Sequence, residues 1–343
     1  MTTTKLTIPI IALLAVPITS HAQFSSKITK VGTTVAQFLK IDVGGRAIGM
    51  GGAFVAAAND ATSLYWNPAG IAGSERSEVH LMHADWLADT NFDFAGVVLP
   101  LGAFGTLGAS VTSLSMPEME VRTVFYPEGT GERFGAGDVA TGVSYARMLT
   151  DRFAIGFTAK YIRQHIWDMS ASSVALDFGT LFTTGFHGMR LGMSISNFGN
   201  KMRYEGKNTR VFYDQNPWEF GDNDKLPAHL QTDKWSLPLL FRVGIAMPVF
   251  DSEVNRLLIA ADAIHPNDDN ENVNLGAEYA FKKWLFLRAG FKALGSRDSE
   301  EGLTFGAGFD SAIIGSTNLR VDYAWADWGR LSSVHRFSLA LRF

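Results

Sequence analysis

Residues 44–70 read GGRAIGMGGAFVAAANDATSLYWNPAG, a glycine-dense stretch around which we expect the rest of the chain to be organised. Glycine carries no Cβ, so it occurs where backbone packs closely against backbone or adopts a positive φ. Asn59 or Asp60 can cap a short helix over residues 61–66, and Pro68 disfavours helical geometry at the residue before it. The stretch is too small to have a core of its own, so other parts of the chain must surround it.

Two other interpretations of this stretch were weighed. By composition alone it is an ordinary glycine-rich turn before a helix. Glycine-rich turns also bind phosphate groups, but no Gly-Lys-Ser/Thr follows, and no strand–turn–helix frame with a downstream acidic residue is present. The sequence therefore speaks against a nucleotide-binding loop.

The N-terminus has the pattern of a secretory signal peptide over residues 1–22. Lys5 precedes an apolar run over residues 6–18, and Ser20-His21-Ala22 offers a small-x-small cleavage site. The run is too short to cross a bilayer as a helix. The chain contains no cysteine, which excludes disulfides, thiolate chemistry and a lipid-modified cysteine. A formal net charge of -4 gives no basic field for nucleic acid.

From Ser77 onward the hydrophobic pattern has a period of two, which indicates β-strands. In the last strand Phe337 and Leu339 fall on one face, and Arg336 and Ser338 on the other. The strands are longer than those of most soluble proteins and suit a tilted crossing of a bilayer. Since backbone polar groups must be paired within lipid, such strands predict a closed antiparallel transmembrane β-barrel over residues 77–343, wrapped around a glycine-rich, short-helix plug over residues 23–76.

Loop lengths separate this all-β barrel from a soluble sandwich. Connections after even strands are mostly short, whereas those after odd strands include the two longest, residues 115–137 and 198–236. Short turns at one rim and long loops at the other are typical of outer-membrane barrels. We predict about 14 strands. They cover residues 78–85, 92–100, 104–114, 138–149, 152–164, 172–183, 189–197, 237–248, 255–264, 272–280, 284–294, 302–310, 317–325 and 334–343.

Charged side chains should point into the barrel by strand parity. Buried charges persist when they are paired, so Arg46 and Asp60 of the plug are natural partners for them. These charges either anchor the plug or form a substrate path, and the sequence leaves both open. The inward charges are Lys160, Asp177, Arg242, Asp262, Glu278, Arg288, Lys292, Asp310, Arg320, Asp322, Arg336 and Arg342.

No catalytic, metal or cofactor site is expected. His80 and His83 are three apart, which places them on opposite faces of a strand. The chain contains neither HExxH nor GxSxG, so we expect no enzyme. Residues 267–272 read NDDNEN and resemble a calcium loop in composition, but lack its glycine at the sixth position, so we expect a solvated loop.

The two long loops are unusually apolar for solvent. Such surface either marks a site for a partner or ligand, or is buried where the loops fold over the barrel mouth. Both readings stay open from the sequence. The candidate binding residues are Met119, Phe125, Tyr126, Phe212, Tyr213, Trp218 and Phe220.

The stretch RAIGMGGAFVAAANDATSLYWNPAGIA resembles the N-terminal signature of the PorV/PorQ family, which is similar in architecture to FadL-type outer-membrane transporters. Residues 237–246, LPLLFRVGIA, and the closing Arg-Phe also resemble that family. The plug residues that carry the resemblance or its packing are Arg46, Gly49, Met50, Gly51, Gly52, Asp60, Asn67 and Pro68.

The resemblance implies a fourteen-stranded barrel with an N-terminal plug, in the outer membrane of a Gram-negative bacterium such as a member of the Bacteroidota. Family members serve type IX secretion, where they bind the C-terminal domains of exported proteins or associate with the translocon barrel. FadL-type relatives instead pass hydrophobic molecules such as long-chain fatty acids. The expected partners are therefore outer-membrane lipid together with secreted cargo, a translocon barrel or a hydrophobic ligand.

Overall fold

The computed structural model describes residues 30–218, 225–296 and 299–343. The predicted signal peptide and Phe220 lie outside these residues. Within the described ranges, no helix is long and apolar enough to cross a membrane.

Fourteen long strands form one antiparallel sheet that closes on itself. Each strand pairs with its neighbours in sequence, and the first pairs with the last, Leu81 opposite Leu339. The prediction of a closed barrel is therefore confirmed. The strands are β1 Glu78–Trp86, β2 Thr90–Pro100, β3 Thr106–Ser115, β4 Ala136–Thr150, β5 Phe153–Ile166, β6 Met169–Thr183, β7 Arg190–Gly199, β8 Leu240–Asp251, β9 Asn255–Pro266, β10 Asn272–Phe281, β11 Leu285–Leu294, β12 Leu303–Ile314, β13 Thr317–Asp327 and β14 Ser333–Arg342.

Side chains alternate between the lumen and the outer wall along every strand, as the period of two requires. In β14, Arg336 and Ser338 are buried in the lumen, whereas Phe337 and Leu339 are exposed on the outer wall. The strand boundaries differ from the predicted ones by four residues or fewer, because the hydrogen-bonded ladder continues past the last clearly alternating side chain.

The two rims differ in loop length, as predicted. At the short-turn rim the connections after even strands span two to six residues. At the long-loop rim the connections after β3 and β7 cover residues 116–135 and 200–239. Each long loop contains a small hairpin, Met119–Glu120 with Arg133–Phe134 in the first and Arg210–Tyr213 with Leu226–His229 in the second.

The lumen is filled by the chain that precedes β1. We call its described part, residues 30–76, the plug. It contains two short α-helices, α1 Gly45–Gly49 and α2 Ser63–Trp66, and two 3-10 turns, Gln37–Lys40 and Pro68–Ile71. Its large side chains form the protein's core: Met50 and Phe54 have no exposed surface, and Trp66 is 1% exposed.

The second helix begins later than the sequence indicates, at residue 63 instead of 61. The reason is a turn before it, in which the Asp60 carboxylate accepts the Thr62 N–H at 3.0 Å. The expected capping of the first turn by Asn59 or Asp60 is therefore wrong, because Asp60 binds the residue before the helix and the helix has no side-chain cap. The helix ends at Asn67, just before Pro68, as predicted.

Candidate functional site

The backbone of the plug packs directly against the backbones of β10 and β11. Gly51 has φ +66°, and a Cβ added there would lie 2.7 Å from the Leu275 carbonyl oxygen and 2.8 Å from the Phe291 nitrogen. On the wall side, a Cβ on Gly290 would overlap the Gly51 amide. Glycine is needed at both positions, because either side chain would force two backbones apart.

The neighbouring glycines have different surroundings. A Cβ on Gly49 would lie 3.0 Å from the Cα of Gly306 in β12, again a backbone contact. A Cβ on Gly52, which has φ +72°, would meet mainly side chains, at 3.0 Å from Asn274 Nδ2 and 3.3 Å from Asp42 Oδ2. Met50 between them is completely buried.

Arg46 ties α1 to the barrel wall and to the rest of the plug. Its Nε and Nη2 donate to the two oxygens of Glu278 in β10, each at 2.9 Å. Its Nη1 donates to Asp60 Oδ2 at 3.1 Å and to Asn59 Oδ1 at 2.6 Å. A bidentate arginine–carboxylate pair fixes orientation as well as distance, so this contact sets how α1 sits in the lumen.

The Arg46 pair belongs to a larger buried network. Glu278 also binds Arg288 at 2.7 Å, and Asp322 binds Arg288 at 2.8 Å and Arg320 at 2.9 Å. The network has three cations and three anions, so its charges balance without solvent, as buried charge requires. Its members are Arg46, Arg288, Arg320, Asp60, Glu278 and Asp322.

A second anchor holds the turn after α1. Asp262 of β9 accepts the backbone N–H groups of Phe54 and Val55 at 2.7 and 2.8 Å. These donors lie in a non-helical segment with no backbone partner of their own, so a wall carboxylate supplies it.

Asn67 and Pro68 complete the contact on the opposite side of the lumen. The Asn67 side chain donates to the carbonyls of Val55 and Thr180 at 2.9 and 3.0 Å and accepts the Ala69 N–H at 3.1 Å. Pro68 packs against Gly156 of β5, where an added Cβ would overlap the proline carbonyl.

Asp268 corrects one expectation from the sequence. The run around it looks like a solvated loop, but its carboxylate is buried and accepts from Thr34 Oγ1 and Gln37 Nε2, both at 2.6 Å, and from Lys40 Nζ at 3.1 Å. Burial alone would raise the pKa of Asp268, but these donors outweigh it and hold the pKa below its ordinary value. The segment over residues 34–40 carried no signal for this contact.

Two inward arginines lie against aromatic rings. The Arg242 guanidinium lies 5.5 Å from the centre of the Tyr65 ring and 5.3 Å from that of Trp66, and Arg336 lies 4.8 Å from Trp86. Parity predicted their inward direction, but the aromatic partners depend on how the plug and the long-loop rim fold.

Little space remains between plug and wall. One cavity of about 20 Å³ lies beside Leu64, Tyr65 and Lys160, and another of about 10 Å³ lies beside Lys292 and Arg336. The contacts of Arg46, Gly51, Asp60, Asn67 and Pro68 therefore describe a tightly packed closure of the barrel.

The long-loop residues behave differently. Phe125 is 88% exposed and Trp218 is 93% exposed, so neither is buried over the barrel mouth. Met119, Tyr126, Phe212 and Tyr213 are also more than half exposed. The two loops thus present apolar side chains to the outside of the rim.

His80 and His83 lie on opposite faces of β1. His80 is buried in the lumen and His83 is exposed on the outer wall, as the period of two predicts. Among the residues that the structure describes, no group of three or more His, Asp or Glu side chains could hold a metal ion.

Two solved structures of toluene transporters have a similar fold. The chain is similar to the Ralstonia pickettii toluene transporter TbuX, with 11% identity, a TM-score of 0.53, and coverage of 88% of this chain and 97% of that one. It is similar to the Pseudomonas putida toluene transporter TodX, with 10% identity, a TM-score of 0.52 and coverage of 88% and 97%. At these identities the likeness concerns the fold. A comparison with curated proteins gives no match.

The sequence itself matches one family model. Residues 24–217, more than half of the chain, match the model described as type IX secretion system protein PorV. These residues contain the whole described plug and the first seven strands. Together with the closed barrel and its short-turn and long-loop rims, this match places the protein in a Gram-negative outer membrane, and the chain belongs to the PorV family of type IX secretion proteins.

Proposed function

We propose that the protein is a non-enzymatic accessory of type IX secretion that binds the C-terminal domains of exported proteins at its long-loop rim. The observation that carries this proposal is the set of exposed aromatic side chains on the two long loops. In an outer-membrane barrel the long loops face the outside of the cell, where an exported protein emerges.

Backbone hydrogen bonds fix the shape of the first long loop, which presents part of this set of side chains. In the first loop, Val121 N–H donates to the Glu132 carbonyl and Thr130 N–H donates to the Val121 carbonyl, both at 2.9 Å. The tip that these bonds close carries Val124 and Phe125, which are 94% and 88% exposed. Aromatic side chains on a stiff hairpin are typical anchors of protein interfaces, because little entropy is lost when they bind.

The plug supports this function by closing the lumen. The buried ion pairs and glycine contacts hold it against the wall, and we assign the inward charges to anchoring rather than to a substrate path. A closed barrel can bind a partner at its rim without leaking small molecules across the membrane.

Two alternatives use other surfaces. Binding to a translocon barrel would use the outer wall or the same loops. Passive transport of hydrophobic small molecules would need the plug to move, because the two cavities described between plug and wall hold only about 20 and 10 Å³. The tight packing favours the receptor over the transporter.

The test is capture of a C-terminal domain from an exported protein by the purified barrel. We expect Phe125→Ala combined with Trp218→Ala to weaken capture at least about tenfold, as hot-spot aromatics do. Phe104, which is 78% exposed at the short-turn rim, supplies the matched control, and Phe104→Ala should leave capture unchanged.

Undiminished capture by the double variant would contradict the proposal. Uptake of a labelled hydrophobic compound by whole cells separates the rival. If the protein is a transporter, uptake should be lost in cells without it and should fall when the plug is altered. If it is a receptor, neither change should affect uptake.

A further inference from the structure

An acidic patch lies on the outer wall of the barrel, among lipid-facing side chains. His83 of β1 and Asp93 of β2 are register partners, and the imidazole Nδ1 lies 2.7 Å from Asp93 Oδ1. Asp85 lies 3.6 Å away on the other ring nitrogen. The side chains of His83, Asp85 and Asp93 are 55%, 94% and 50% exposed. Ionisable side chains on the outer wall of a barrel are costly among acyl chains and are favourable where they can bind polar head groups.

This patch lies at one end of an apolar groove of about 460 Å³. Ala95 is the small residue at its floor, because its register partners Leu81 and Val111 are larger and stand on either side of it. The groove is further lined by Val321, Phe337 and Leu339.

The patch and the groove follow one another along the membrane normal in the same order as the head group and the acyl chain of a lipid. His83 lies three residues from the long-loop end of β1, and Asp93 lies three residues from the start of β2. At a rise of about 3.3 Å per residue, the patch is about 10 Å along the strands from the rim, on the side where head groups lie. The apolar groove continues from there towards the middle of the bilayer.

We propose that this groove is a specific lipid site that takes an acyl chain, with the patch binding a primary-amine head group. The carboxylates of Asp85 and Asp93 offer acceptors to an ammonium group, while the His83 ring donates to Asp93 and holds it in place. Two carboxylates beside one imidazole favour a cation over a phosphate. Lipid is the occupant because the outer wall of a transmembrane barrel faces the bilayer.

A second groove on the same barrel provides an internal comparison. It lies across β8 to β12, has a volume of about 630 Å³, and is lined by residues such as Ile245, Ala277 and Phe291. None of its described lining residues is ionisable, so it offers an acyl chain no reason to prefer one head group.

The test is native mass spectrometry of the full barrel in micelles that contain equal amounts of lysyl-phosphatidylglycerol and phosphatidylglycerol with identical acyl chains. We expect the wild-type protein to retain the amine-bearing lipid about fivefold more than the anionic one, the factor that a strong exposed ion pair supplies. Asp85→Asn combined with Asp93→Asn should abolish this preference. Asp269→Asn, an exposed change of the same kind at the same rim, should keep it.

A second variant guards against misfolding. Ala95→Trp fills the groove without touching the charges and should lower retention of the amine-bearing lipid, while heat-modifiable mobility on a gel reports that the barrel has formed. Equal retention of the two lipids by the wild type, or an unchanged preference in the double variant, would overturn the proposal. A crosslinker at position 95 that captures a polypeptide in cells instead of lipid would also overturn it.

Discussion

Two tryptophans show how differently the plug and the long loops use the same residue type. Trp66 of the plug is 1% exposed and its indole N–H donates to the Val43 carbonyl at 2.8 Å. Trp218 of the second long loop is 93% exposed. Irregular backbone is stable inside the barrel because wall side chains and plug carbonyls satisfy its polar groups. An aromatic residue left in solvent contributes nothing comparable to stability, which is why we assign it to binding.

The largest effect is expected from a substitution in the plug at a point where its backbone packs directly against the backbone of the barrel wall. We expect Gly51→Val to prevent assembly, because its side chain would collide with the backbone of β10 and β11 and its φ is +66°. Gly52→Val should be milder, since its neighbours are mostly side chains that can shift. The measurement is the yield of heat-modifiable barrel.

The control for the glycine series lies in the same segment. A Cβ on Gly73 meets nothing within 4 Å, so Gly73→Val should assemble at the wild-type yield. A normal yield of barrel from Gly51→Val would show that the plug does not need close packing against the wall.

The next effect concerns the buried charges. Arg46→Ala leaves Asp60 and Glu278 short of a cation, and removing one partner of a buried pair costs about 3–5 kcal/mol. We expect a fall of that order in the free energy of unfolding, measured by urea titration in detergent. Arg76, an exposed arginine at the end of the plug, is the control, and Arg76→Ala should change stability by less than about 0.5 kcal/mol. Equal effects of the two changes would mean that the network does not anchor the plug.

A smaller effect should appear with pH at Asp268. Because its pKa is depressed in the folded protein, its contribution is present above its unfolded pKa of about 3.9 and is lost as pH falls through the folded value. At about pH 6 the wild type should exceed Asp268→Asn by about 1–2 kcal/mol in the free energy of unfolding. This gap should narrow as pH falls below about 3.9 and close only below the lowered folded pKa, where the carboxylate takes up its proton. A gap that does not change with pH would contradict the assignment.

The smallest expected effect on stability is that of a substitution in the exposed second long loop. Trp218→Ala removes an exposed side chain and should shift the free energy of unfolding by less than about 0.5 kcal/mol, even though capture of an exported domain falls. Chemical denaturation and capture measured on the same preparation test both halves. A large loss of stability would show that this tryptophan has a structural role and would weaken its assignment to binding.

The strands were predictable because their signal is local. Alternation between Arg336 and Phe337, or between Asp322 and Tyr323, is visible within a few residues and follows from the geometry of one strand. The alternation of short and long connections along the chain predicted a closed barrel with two different rims. The glycines of residues 44–70 indicated close backbone contact. The inward direction of Glu278 and Arg288 also followed from parity alone.

The pairing of these groups was not predictable. Arg46 and Glu278 are separated by 232 positions in the chain, and no local pattern says which of several inward carboxylates the arginine meets. Asp268 was expected in solvent because its own neighbours are polar. The plug segment that covers it comes from the other end of the chain.

The sequence by itself determined that the chain crosses the membrane as strands, with apolar residues towards lipid, charges in the lumen and a glycine-rich segment needing a narrow space. Only the tertiary structure decided which charges meet, that Gly51 rather than Gly52 abuts backbone, and that the loop aromatics stay exposed. The physical reason is range. Strand periodicity is fixed by neighbouring residues, whereas ion pairs, close contacts and exposure depend on where the closed barrel brings distant segments together.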